Sequence, residues 1–195
     1  ALAMAELAQE HGGRFHYDSP VQRIDCVNGR ATGITLASGE THSADVVVFN
    51  GDTAALSDGL LGADVSTSVP VRPRHQRGLS AITWCINAET SGFELDHHNV
   101  FFAQNYAQEF STIFDNRGIC NEPTVYVCAQ DRINGAPLKA GTERLLLLIN
   151  APADGDHKAW TRNKLDEQRE NALSVVKRGG ANITFSEQNC VVSSP

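Results

Sequence analysis

Residues 46–49 read Val-Val-Val-Phe, and a run with no polar position has no face to give to water. Such a run belongs in the middle of a sheet covered on both sides, so residues 44–50 are expected to form a buried strand. Asn50-Gly51-Asp52 follows directly and turns the chain at the carboxyl end of that strand, where ligands sit in open α/β sheets. Upstream, two short strands are expected around a Ser38-Gly39 turn. Asn28-Gly29 is a stronger signal, because both residues accept the positive φ that a two-residue hairpin demands. It predicts a hairpin from Val21 to Leu36.

The remaining chain divides by pattern. Residues 1–11 place Leu2, Ala5, Leu7 and Ala8 near one side of a short helix that Gly12-Gly13 ends. Phe15 and Tyr17 alternate with His16 ahead of Pro20, which predicts a brief strand and a turn. Residues 53–61 read as a helix with Asp52 as its N-cap. Residues 63–78 carry two prolines and three arginines without useful periodicity, as a crossing between domains would. Beyond it, residues 79–89 and 99–103 are expected to be neighbouring strands, followed by a helix at 106–114 and strands at 124–130 and 144–151. A charged amphipathic helix at 160–177 and a last strand at 182–192 complete the pattern. The fold class is therefore α/β (α+β), with an antiparallel or mixed sheet carrying helices on one side. The expected division is 1–62, a crossover at 63–78, and 79–195.

Charge and composition exclude several functions. Sixteen basic residues stand against twenty-three acidic ones, for a net charge of −7. No cluster of Lys or Arg offers a track for phosphates, so nucleic acid is not an expected partner. No apolar run approaches the roughly 18 residues of a membrane-spanning helix. The five cysteines are odd in number and scattered, a pattern of reduced thiols in a cytoplasm and not of a disulfide framework. The G-x-G-x-x-G turn of nucleotide-binding folds does not occur in the sequence. With Ala1 inside a helix, the chain is expected to be an internal piece of a longer protein, without its first nucleotide-binding unit or its C-terminal portion.

Several local constellations are weak. Asp131-Arg132 ends a strand-like run and is the most chemical-looking pair, a carboxylate to assist proton loss and an arginine to balance negative charge; adjacent strand residues point to opposite faces, which argues against a cooperating pair, so surface charge at a strand end is expected. His97-His98 with Cys120 and Cys128 fits no zinc spacing, and no metal site is expected. Ser80 and Ser111 lack the G-x-S-x-G context of a hydrolase. Asp154-Gly155-Asp156 lacks the rest of a calcium loop and is expected to be a turn.

One resemblance ties the order together. Gly12-Gly13, Ser19-Pro20-Val21-Gln22-Arg23-Ile24, Gly33-Ile34 and Ala44-Asp45-Val46-Val47-Val48-Phe49-Asn50 resemble the close of the FAD-binding, Rossmann-like domain in amine-oxidase-like and phytoene-desaturase-like flavoproteins. In the second half, Asn99-Val100-Phe101-Phe102, residues 123–132 (PTVYVCAQDR) and residues 150–156 (NAPADGD) are similar to the substrate domain of bacterial carotenoid desaturases, and within these to the hydroxycarotenoid 3,4-desaturase (methoxyneurosporene dehydrogenase) type. The resemblance implies FAD as cofactor and desaturation of an acyclic, hydroxylated carotenoid, with hydride passing to the flavin. It implies cofactor contacts at Val21, through its backbone, and at Asn50, Gly51 and Asp52. Trp84, Phe101, Phe102 and Tyr126 are the candidates to line a polyene tunnel. No catalytic acid or base is assignable. A carotenoid enters from a bilayer, so peripheral contact with a membrane, the bacterial inner membrane on its cytoplasmic side, is expected. Another desaturase or saturase of the same fold, and a flavin-free binder of prenylated proteins like the GDP-dissociation inhibitors, are the competing readings.

Overall fold

The computed structural model describes residues 2–132 and 141–195 and contains two compact units, Ala1–Arg72 and Pro73–Pro195.

The first unit is built on a meander. β1 (Val21–Val27), β2 (Arg30–Leu36) and β3 (Thr41–Ser43) lie side by side in that order, with both pairings antiparallel. The first turn is the expected one: Asn28 and Gly29 both have positive φ, 51° and 77°, as a type I′ hairpin requires. Ile24 of β1 buries against Leu56 and Val65, with Ile34, Val47, Phe49 and Leu61 partly covered around them. Leu56 and Val65 come from two short helices, α2 (Thr53–Ser57) and α3 (Ala63–Ser66), numbered after α1 (Leu2–Glu10). Asp52 caps α2 as expected, its Oδ1 accepting from the Ala54 amide at 2.9 Å. The helix stops four residues short of the expected end, where Gly59 takes the left-handed conformation, φ 74°, that closes helices. No residue of α1 is buried.

Two expectations in this unit fail for one reason. Residues 44–50 form no strand, and Val46 and Val48 are 74% and 86% exposed. The Ala44 amide still bonds Thr32 O at 3.0 Å; past that point the segment has no partner strand among the described residues, and a ladder needs two backbones. Its side chains nonetheless alternate, with Val47 and Phe49 turned to the small core. Residues 15–17 likewise lack a ladder, and the Phe15 and Tyr17 rings stack on each other at 6.0 Å instead.

The second unit is a six-stranded antiparallel sheet. β4 (Leu79–Gly92), β5 (His98–Phe101), β6 (Val125–Ala129), β7 (Glu143–Pro152) and β8 (Ala181–Thr184) take the order β5-β6-β7-β4-β8, and β9 (Cys190–Ser193) also pairs with β4. The expected neighbours β4 and β5 are thus separated by two strands. Leu145 to Leu148 form a continuous apolar run that belongs at the centre, so β7 and β6 insert between them. The single strand expected at 182–192 is two, because polar residues 186–189 form a turn of 3-10 helix between β8 and β9.

Two helices serve this sheet. α4 (Tyr106–Phe114) has the expected bounds, and Asn105 caps it by accepting from the Gln108 amide at 3.1 Å. α5 (Arg162–Arg178) is capped by Thr161 and ended by Gly179. Leu165, Ala172, Val175 and Val176 on one stripe of α5 pack against Ile82, Trp84, Ile86, Val125, Val127, Leu145, Leu147 and Ile149, every one of these strand residues at most 3% exposed. That face of the sheet is the core of the unit. Among the described residues no helix is long and apolar enough to cross a membrane.

Asp131 and Arg132 lie in the turn past β6 and not in the strand, and only one of them is at the surface. Asp131 pairs outside with Arg144 at 2.5 Å. Arg132 turns inward, its guanidinium gripping both oxygens of Glu143 at 2.7 and 2.9 Å and donating to Leu95 O at 2.6 Å. Glu143 is only 3% exposed, and Thr90 Oγ1 donates to it as well. The inward turn of Arg132 brings a cation to that buried carboxylate and offsets the cost of its charge.

Candidate functional site

The second face of the sheet is its chemically distinctive surface. Side chains directly opposite across a ladder share a face, so the register defines what lies there. One row crosses five strands as Val100, Tyr126, Leu148, Thr83 and Ser193. The next crosses them as His98, Cys128, Leu146, Cys85 and Val191. At about 4.8 Å per strand spacing this surface is roughly 19 Å wide. Neither row contains a carboxylate, lysine or arginine. Leu146, Leu148, Tyr126 and Thr83 are half-buried, while Cys85, Val100 and Val191 are exposed.

α4 closes one end of this face. Glu109, fully buried, accepts from the Thr124 amide at 3.0 Å and from Asn150 Nδ2 at 3.4 Å. Asn150 belongs to the same face as Leu146 and Leu148, since it lies two and four residues along β7. The carboxylate therefore pins α4 to the margin of the open rows. Outward from it, Phe102, Tyr106, Phe110 and Phe114 form a ladder of rings with centroids 5.7, 5.0 and 6.2 Å apart. A cleft of about 390 Å³ on the far side of α4 is lined by Gln104, Asn105, Gln108 and Asn121, and its amides suit a polar guest.

The candidate tunnel residues do not gather in one place. Trp84, 1% exposed, and Phe101, 9% exposed, belong to the core under α5. Phe102 is 66% exposed and starts the aromatic ladder. Only Tyr126 lies on the open face, where its hydroxyl and His98 Nδ1 are 2.7 Å apart. Burial pushes the Tyr126 phenol above its ordinary value, with the Cys128 sulfur adding to the effect, so it stays protonated. In the first unit, Val21 is the first residue of the edge strand β1 and is 39% exposed. Asn50, Gly51 and Asp52 are exposed, and the Asp52 carboxylate is engaged in capping α2.

Residues that sequence patterns did not single out are Thr83, Cys85, Leu146, Leu148 and Glu109. The signal for the first four is register, which only strand pairing supplies. A second departure concerns His97, His98 and Cys128, whose potential ligand atoms all lie within 4.8 Å of one another. Cys120, grouped with them by type, bonds instead to Glu122 O.

The chain belongs to the flavin-containing amine oxidoreductase family, which it matches over residues 1–174, and the cofactor of that family is a flavin. It is 42% identical over its whole length to a hydroxyneurosporene desaturase of Rubrivivax gelatinosus, of which it covers 37%. It is 32% identical to the 1-hydroxycarotenoid 3,4-desaturase of Flavobacterium sp. (strain P99-3), over 90% of this chain and 35% of that protein. The chain thus spans little more than a third of the length of these relatives. Its fold is shared by an oxidoreductase from Methanosarcina mazei, with a TM-score of 0.56 and 18% identity over 99% of this chain and 41% of that one.

Proposed function

We propose that this chain is the central portion of an FAD-dependent desaturase acting on acyclic, hydroxylated carotenoids. The observation that carries the reading is the open face: two side-chain rows across five strands, without one carboxylate, lysine or arginine. A polyene gains about 25 cal/mol for each Å² of apolar surface it removes from water, and two uncharged rows that wide take a long stretch of it. Leu146 and Leu148 would bear on the chain, and Tyr126 and Thr83 offer hydroxyls beside it. The relatives described as desaturases of hydroxylated carotenoids point the same way.

The flavin, when bound, accepts the hydride. This chain's own contribution to holding it would be Val21 and residues 50–52. β1 is an edge strand, so a backbone contact there needs no rearrangement of the sheet, and exposed Asn50 and Gly51 leave their peptide groups accessible. The tunnel face supplies orientation and excludes water from the carbons that lose hydrogen.

Such a substrate dissolves in bilayers and not in water. On this reading the enzyme meets the cytoplasmic side of a bacterial inner membrane peripherally, and the exposed ring ladder of Phe102, Tyr106 and Phe114 is the surface suited to the lipid interface.

The test uses the full-length protein with FAD and liposomes carrying either a hydroxylated or an unhydroxylated acyclic carotenoid. The expected result is extension of the chromophore for the hydroxylated substrate, read by absorption and chromatography. In Leu148→Asp turnover should fall at least tenfold while the circular dichroism spectrum is kept. Undiminished turnover in that variant removes the open face from the site.

A further inference from the structure

We propose that His97, His98 and Cys128 form a metal site for a thiophilic d10 cation, with Zn²⁺ the ion of choice. Three observations combine. One nitrogen from each imidazole and the Cys128 sulfur lie within 4.8 Å of one another, with His97 Nε2 at 3.9 Å from Sγ. In a tetrahedral zinc site with bonds of about 2.0–2.3 Å, neighbouring ligand atoms are roughly 3.3–3.6 Å apart, so small side-chain rotations close the set.

His97 is also prepared for the task. Its Nδ1 lies 3.1 Å from Ala129 O, and a carbonyl only accepts, so Nδ1 carries the proton and Nε2 presents its lone pair toward Cys128. A ligating histidine whose other nitrogen donates to a backbone carbonyl is the usual supporting arrangement. The backbone is held too: Ala129 N donates to His97 O at 2.9 Å. Asn99 clamps the turn ahead of it, accepting from Asp96 N at 2.8 Å and donating to Asp96 O at 2.7 Å.

The ligand types select the ion. Two imidazoles and a thiolate suit zinc, and three protein ligands leave the fourth position for water. Cys128 is buried, His97 half-buried and His98 exposed, so the fourth position faces outward past His98. Binding releases the Cys128 thiol proton to solvent and ties β5 to β6 at the edge of the sheet. His98 and Cys128 belong to the second row of the open face, so the ion stands at its β5–β6 edge, whichever substrate the rest of the face takes.

The experiment is a titration of the reduced, chelator-stripped full-length protein with Co²⁺ and then Zn²⁺, followed by difference absorption. One Co²⁺ per chain should produce a thiolate-to-metal charge-transfer band that one equivalent of Zn²⁺ abolishes. Cys128→Ser should lose the band, and His97→Gln and His98→Gln should each weaken Zn²⁺ binding at least tenfold, while Cys120→Ser changes nothing. A band that survives in Cys128→Ser, or a stoichiometry well below one, overturns the site. X-ray absorption at the zinc edge reads the unsubstituted protein independently of how the variants fold: a single sulfur neighbour near about 2.3 Å with nitrogens near about 2.0 Å supports it, and no sulfur neighbour refutes it.

Discussion

The two faces of the six-stranded sheet come from the same strands and the same pleat, yet they differ in nearly every physical respect. Under α5, Ile82, Trp84, Val125, Leu147 and Ile149 are closed off from solvent to within 1%. One residue along each strand, Thr83, Cys85, Tyr126, Leu146 and Leu148 remain half-buried or exposed. A chain that needed only stability would cover both faces or make the second one charged. The two central rows of the second face are left without a carboxylate, lysine or arginine and without a covering helix among the described residues, with Arg144 and Glu109 only at its margins.

The sharpest way to break this contrast is to damage the covered face. Trp84→Ala should cost about 3–5 kcal/mol, read as a shift of the denaturation midpoint in the full-length protein; a loss below about 1 kcal/mol would mean that the α5 face is not the core. Arg132→Met follows closely at roughly 3–5 kcal/mol, because it strands the Glu143 carboxylate inside. Replacing both partners, Arg132→Met with Glu143→Leu, should recover most of that loss.

The same pair has a pH signature. Burial alone raises the Glu143 pKa, but the Arg132 and Thr90 hydrogen bonds and the arginine charge outweigh it and hold the carboxyl below its ordinary value of 4.5. A depressed carboxyl contributes stability that is complete above the unfolded-state value and lost as pH falls through the folded one. Unit stability should therefore hold from neutrality down to about pH 4.5 and decline below it, and the double variant should flatten that decline. Acid titrations that superimpose for the two proteins would remove the pair from the account.

Smaller effects belong to the open face. Leu148→Ala should cost about 1 kcal/mol while carotenoid turnover falls several-fold, a separation that chemical denaturation and chromatographic assay measure together. At the rim, Val191→Ser should stay within about 0.5 kcal/mol. Equal stability losses at Leu148 and Trp84 would erase the distinction between the faces.

How much of this was legible depended on whether the cause was local. Asn28-Gly29 specified its own turn, and the bounds of α4 were readable from residues 106–114 alone. Residues 46–49 were misleading because apolar character predicts an extended chain, whereas a strand also needs a neighbouring backbone. The order of strands was hidden, since nothing local says that β6 and β7 come between β4 and β5. Leu145 to Leu148 show why the site was harder than the fold: four identical residues have no periodicity, so which two face α5 is decided by pairing with β4 and β6. Trp84 and Phe101 illustrate the same blindness, because an aromatic in a strand carries no mark of the face it will take. Arg132 was placed by Glu143, a partner on another strand. The convergence of His97 and His98 with Cys128 likewise exists only once β5 and β6 are in register.

The topology of the sheet decides how long its central strand stays unpaired during synthesis. β4 is the longest strand, and β7, β8 and β9 all pair with it, yet every one of those partners lies far downstream. At roughly 5–20 residues per second, the ribosome leaves β4 with both edges unsatisfied for several seconds before β7 emerges, and for longer before α5, β8 and β9 do. Its alternating Ile82, Trp84 and Ile86 make that nascent strand a template for any other extended chain. The central strand therefore spends the longest stretch of synthesis waiting for the residues that will surround it.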